Sequence, residues 1–186
     1  MERSQATFEA YDGVELKLQD GRVVRVPPFT VGEAASYLRL LSQVKDGSLE
    51  AHETFLATFP ARAAIQDVPL VAFGFEVEIP GIGRRVPELT VAQAVALADT
   101  VARAMEADGW RAQSEVLDRI PAVMGLSEPT PAEAFLAARL FAREVYTLLY
   151  GLAESFFGHL VSSPSGQVMR MAGTVEGSSS TPGSTT

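Results

Sequence analysis

A chain of 186 residues, 47% hydrophobic and 20% charged, can bury a core as one domain or two small ones and does not have the composition of a disordered chain. Its formal net charge is −8, and beyond Arg84-Arg85 there is no cluster of basic residues, so nucleic acid is not an expected partner. Cysteine is absent, which rules out disulfides and thiolate metal sites. Met1-Glu2-Arg3-Ser4-Gln5 does not open a secretion signal, and the apolar run from Val145 to Ala153 stops at Glu154, far short of the roughly 20 residues that cross a bilayer. A cytoplasmic protein with no membrane partner is the expectation.

The first element in chain order is a hairpin over Val14 to Val26. Val14, Leu16 and Leu18 alternate with polar residues, Asp20-Gly21 supplies the turn, and Val24 and Val26 resume the alternation. Pro27-Pro28 stops the strand, and Thr30-Val31-Gly32-Glu33 is a capping box that opens a helix. In that helix Val31, Ala34, Leu38 and Leu41 form one stripe, widened by Tyr37, Leu40 and Val44, and Asp46-Gly47 ends it. A second short helix is predicted from Leu49 to Ala57, stopping near Pro60. Val71 to Ile79 reads as a strand with Phe73, Phe75, Val77 and Ile79 on one face, followed by a Pro80-Gly81-Ile82-Gly83 turn and a short return over Arg84 to Val86.

The pattern then recurs. Arg25-Val26-Pro27-Pro28-Phe29-Thr30-Val31-Gly32-Glu33-Ala34 matches Arg85-Val86-Pro87-Glu88-Leu89-Thr90-Val91-Ala92-Gln93-Ala94, sixty residues on, at six of ten positions. Two origins account for the match: a duplicated unit, or one strand-to-helix joint solved twice by the same local chemistry. The second helix carries Val91, Ala94, Val95, Ala98, Val101, Ala102 and Met105 on its apolar side, with Asp99, Arg103 and Glu106 opposite, and ends at Asp108-Gly109. A further helix is expected over Ala112 to Val123, interrupted by Pro121. A third capping box, Thr130-Pro131-Ala132-Glu133, opens the longest helix, about Pro131 to Leu160. From Ser162 onward Ser, Gly, Thr and Pro dominate, which predicts a flexible tail.

The fold class that follows is α+β, predominantly α. A single domain over 1–161 contains two hairpin-to-helix units near 14–47 and 71–109 and a C-terminal helix near 131–160, and the tail covers 162–186. The long helix is apolar nearly all round, so part of it is expected to be an oligomer or partner interface: Phe135, Phe141, Tyr146, Leu149, Tyr150, Phe156 and Phe157.

No set of residues converges on catalysis or on a cofactor. His52-Glu53-Thr54-Phe55-Leu56 begins like a zinc-protease helix but lacks the second histidine, so His52 reads as an ordinary half-exposed helical residue. His159 sits near a helix C-terminus, where it interacts with the dipole rather than a metal. Gly81-Ile82-Gly83 lacks the Lys-Ser/Thr of a phosphate loop and reads as a turn, and Ser155 lies within a helix rather than on a nucleophile elbow. Glu76 and Glu78 face outward from an alternating strand. Trp110 is either a surface anchor or a local cap.

Leu16-Lys17-Leu18-Gln19-Asp20-Gly21-Arg22 leading to Pro28-Phe29-Thr30-Val31-Gly32-Glu33-Ala34 resembles the opening of tail assembly chaperones and related small tail proteins of long-tailed bacteriophages. Ile120-Pro121-Ala122-Val123-Met124-Gly125-Leu126, followed by Thr130-Pro131-Ala132-Glu133, carries the same resemblance, and together these cover about a fifth of the chain. It implies a small, acidic, helix-rich, non-catalytic protein of the host cytoplasm that binds the tape-measure protein, and in some cases tail-tube subunits, with no catalytic residues to carry over; a homo-oligomer is expected separately, from the apolar surface between Phe135 and Phe157. The C-terminus of such proteins is often where a programmed frameshift appends an extension. The alternatives are a virion structural or head–tail connector protein and, from a third class, a small-molecule-binding domain or enzyme.

Overall fold

A computed structural model describes residues 14–162 and 169–170; the N-terminal Met1–Gln5 and all of the expected tail but Ser162, Met169 and Arg170 lie outside the described residues. The elements are β1 (Val14–Lys17), β2 (Val23–Val26), α1 (Val31–Lys45), α2 (Leu49–Arg62), β3 (Val77–Ile79), β4 (Gly83–Arg85), α3 (Val91–Ala104), α4 (Trp110–Val123), α5 (Pro131–Ser162) and β5 (Met169–Arg170). The α+β, mainly helical class is the observed one.

β1 and β2 pair antiparallel with Leu16 opposite Val24, and β5 adds a parallel edge to β1 at Leu16–Met169. At the turn the Asp20 carboxylate accepts from the Arg22 backbone N–H, and Gly21 takes a φ of 85° that a side chain would resist. The chain leaves β2 through two prolines into a complete capping box: Thr30 Oγ1 accepts from Glu33 N at 3.2 Å while Glu33 Oε2 accepts from Thr30 N at 2.8 Å. Arg62, at the end of α2, locks this joint from the side. Its guanidinium pairs with Glu33 at 2.8 Å, donates to the Pro28 carbonyl at 2.7 Å and lies 4.1 Å from the centre of the Phe29 ring. The Arg62 hydrogen bonds, then the Thr30 amide, hold the Glu33 carboxyl down at about 2.

The hairpin–helix–helix order occurs twice, β1-β2-α1-α2 and β3-β4-α3-α4. The match extends past the ten residues visible in the sequence. Thr90 and Gln93 rebuild the capping box of Thr30 and Glu33. α2 and α4 each carry a proline near the end, Pro60 and Pro121, and each terminates the same way: Ile65 N donates to Pro60 O at 2.9 Å, and Leu126 N donates to Pro121 O at 2.8 Å. Between them the chain turns through a left-handed residue, Ala64 (φ 56°) in the first unit and Gly125 (φ 58°) in the second. The two units thus share local geometry at their helix ends as well as at their helix starts, which a duplicated unit and a joint solved twice account for alike.

Several expectations change. α2 does not stop before Pro60 but runs through it to Arg62, because a proline in the last turn forfeits only one intrahelical bond and its carbonyl still serves the cap. Val71–Phe73 is not strand: Leu70–Phe73 forms one 3₁₀ turn closed by Gly74 at φ 71°, and only Val77–Ile79 pairs as β3. The Ala72 carbonyl accepts from Gln19 N at 2.9 Å, so the segment is tied to the first hairpin instead of to β4. The α1 stripe is narrower than expected, centred on buried Tyr37 and Leu41, with Val31 89% and Leu38 45% exposed. α3 ends at Ala104, four residues before Asp108, and Gly109 instead precedes α4. Trp110 opens α4 and is 74% exposed, a surface residue that makes no cap.

One hydrophobic cluster spans both units, with α5 as its spine. At the first unit Phe157 stacks on Tyr37 with ring centres 5.9 Å apart and meets Phe29 edge-on at 5.4 Å, while Phe75 meets Phe141 edge-on at 6.0 Å. Of the seven α5 residues expected at an interface, Phe141, Leu149, Phe156 and Phe157 are therefore buried inside one chain, and Phe135, Tyr146 and Tyr150 are half-buried. The reason is wrapping: α1, α3, α4 and β3 approach the spine from different sides, so its apolar circumference needs no second molecule to cover those four. Among the described residues no helix is long and apolar enough to cross a membrane.

Candidate partner groove between the two units

α2 closes the first unit and α3 opens the second, and the seam between them is an open groove of about 1010 Å³. One end is laced shut by backbone: Val91 N donates to Val68 O and Ala92 N to Gln66 O, both at 2.9 Å. These bonds hold the start of α3 beside the chain leaving α2. The far end carries Leu49 from the start of α2 and Met105 from the end of α3, 76% and 53% exposed. Between the ends the walls are mostly small, with Ala57 and Ala61 on α2 facing Ala92, Ala96 and Ala102 on α3. Charge is confined to the rim, where Glu53, Asp99 and Glu106 stand against one cation, Arg103, itself paired to Asp99 at 3.0 Å. Among the described residues Glu53 and Glu106 have no ion-pair partner.

The floor is polar but occupied. His52 Nδ1 shares a hydrogen bond with the Tyr150 hydroxyl, the His52 ring meets Tyr146 edge-on at 4.6 Å, and Tyr146 donates to the Ala98 carbonyl at 3.1 Å. Burial pushes His52 below its ordinary value against the opposing pull of Glu53 and Asp99. Burial, with Tyr146 adding to it, pushes the Tyr150 phenol up to about 12, and burial, then Asp99, raises Tyr146. His52 and Tyr150 are bonded to each other and Tyr146 to backbone, so each of the three polar groups has a partner.

The structure thus brings Tyr146 and Tyr150 of the expected interface together with His52, and separates them from Phe141, Leu149, Phe156 and Phe157 in the interior. Glu76 and Glu78 face outward as expected and both pair with Arg84, at 3.0 and 3.1 Å; Gly81 lies in the β3–β4 turn and Gly83 opens β4, both with positive φ. Ser155 is exposed on α5, and the side chain of His159 lies outside the described residues. No group of three or more potential metal ligands occurs among the described residues.

The groove itself was not expected, though a signal for it exists. The apolar arc of α3 is too wide for one packed face: Leu97, Ala98 and Val101 turn inward, whereas Val95, Ala102 and Met105 face the groove. Comparison with protein-family models, with curated proteins and with solved structures finds no match to this chain.

Proposed function

We propose that this chain is a non-catalytic binding protein that assists assembly of a long bacteriophage tail by holding a tape-measure or tail-tube protein in the α2–α3 groove. The observation that carries the reading is the exposure of Leu49 and Met105 at the mouth of a groove walled by alanines, since a folded chain keeps large side chains exposed on a concave surface at a free-energy cost unless something covers them. The engaged state of His52, Tyr146 and Tyr150 supports binding over chemistry, and the sequence resemblance to tail assembly chaperones supplies the class of partner. The test is affinity capture of the tagged chain from infected cells, read by mass spectrometry beside the protein content of mature particles. Recovery of a tape-measure or tail-tube protein, with this chain absent from the finished particle, is the expected result. Its presence in the particle at fixed stoichiometry would make it a connector, and recovery of no tail protein would overturn the reading.

A further inference from the structure

We infer that the groove selects an amphipathic helix of about three turns that presents bulky apolar residues inward and lysine or arginine along both flanks. The inference rests on the protein-binding reading above and assigns the chemistry of the bound segment.

Length comes first. From Leu49 to Ala61 on one wall the groove runs about 18 Å at 1.5 Å per residue, which is some twelve residues of helix. An extended strand would find no sheet edge there, because both walls are helices whose backbone groups are already bonded. A helix needs only side-chain complementarity, and alanine walls leave room for large side chains spaced at i, i+3/i+4 and i+7. Charge decides the rest. Among the described residues Glu53 on one rim and Glu106 on the other have no cation of their own, and Asp99 shares Arg103, so cations flanking the apolar face of the guest meet carboxylates on both sides. A second copy of this chain is a poor occupant by the same reasoning, since its net charge of −8 brings like charge to an acidic rim.

The probe is a fluorescein-labelled synthetic helical peptide about four turns long, with leucines on one face and lysines on both flanks, titrated into the full chain at low ionic strength. Its twin carries glutamate in place of lysine. Saturable binding of the lysine peptide, about ten-fold or more tighter than its twin and weakened by salt, is expected. Ala96→Trp, a filling of an exposed wall position that leaves the core untouched, should abolish binding without changing the circular dichroism melt. The Glu53→Lys/Glu106→Lys double variant should invert the preference between the two peptides. Equal binding of both peptides, no binding of either, or binding unaffected by Ala96→Trp would each overturn the inference. So would a dimer in light scattering that Ala96→Trp dissolves, which would make the occupant a second copy. A photo-crosslinker at position 96 or at exposed position 139, offered the tape-measure protein, separates the two readings. Crosslinking only at 139 removes the groove and keeps the partner, and crosslinking at neither removes both.

Discussion

Replacing Leu149 by alanine asks whether α5 is a core or a contact surface. Leu149 is 0% exposed at the middle of α5, whereas Leu136, on the same helix, is 41% exposed. Truncating a fully buried leucine removes its transfer free energy and leaves a cavity that neighbours only partly fill, together about 3–4 kcal/mol. Around this spine the packing is aromatic and alanine-rich, with Phe141, Val145, Ala153 and Leu152 also buried, so relaxation into the void is limited and the upper part of the range applies. The same truncation at Leu136 should cost under about 1 kcal/mol, because much of that side chain is already hydrated. In a chain of this size the Leu149→Ala loss corresponds to a fall in Tm of about 6–16 °C. The assay is urea unfolding followed by circular dichroism at two protein concentrations a hundredfold apart. A core residue lowers the midpoint equally at both, and an interface residue lowers it mainly by dissociation, so the loss changes with concentration. A Leu149→Ala loss below about 1 kcal/mol, or one that vanishes on dilution, would refute the packing described above.

The left-handed residues at the ends of α2 and α4 give a matched pair: Ala64→Gly should stabilise by about 0.5–1 kcal/mol by relieving its positive φ, and Gly125→Ala should destabilise by about 1 kcal/mol. Gly125 has open space where a Cβ would go, so any loss there is conformational; thermal melts of both variants moving the same way would contradict the shared cap geometry. Thr30→Ala, Thr90→Ala and Thr130→Ala should each lower stability by about 0.5–2 kcal/mol in chemical denaturation, since each hydroxyl accepts the amide of the third helical residue. For His52, burial depresses the folded-state pKa, so the unfolded chain binds its proton first; the contribution is complete above the unfolded value of about 6.5 and is lost as pH falls toward the folded one. His52→Phe should therefore flatten the fall in melting temperature between pH 7 and 5, although Glu53 and Asp99 oppose the burial effect; an unchanged slope would place the titration elsewhere.

Much of the architecture was legible because it is punctuated locally. Three Thr-x-x-Glu/Gln boxes fix three helix starts through bonds made within four residues, and the Asp20-Gly21 turn fixes the first hairpin register by the same short-range logic. What was not legible depended on partners distant in sequence. Val71–Phe73 alternates like a strand, yet the bond from Gln19 and the left-handed Gly74 decide its shape, and neither is visible in the segment itself. Pro60 reads as a stop until its place in the final turn is known.

The candidate site shows the same division. An all-round apolar pattern says that most sides are covered without saying by what; here the two hairpin–helix–helix units cover α5 except along one stripe, where Leu136, Arg139, Arg143, Thr147 and Glu154 stay exposed. Because that closure uses the inward faces of α1, α3 and α4, any binding surface must come from apolar residues the closure leaves over. On α3 those are Val95, Ala102 and Met105, which the helical period lists beside the core residues and only the seam with α2 sets apart. Two hairpin–helix–helix units in series have a single seam between them, where the last helix of the first meets the first helix of the second. The core below it is filled from α5 by Tyr146, and its upper side stays open. The concavity is thus a consequence of how the two units join, which is why it belongs to neither unit's sequence pattern taken alone.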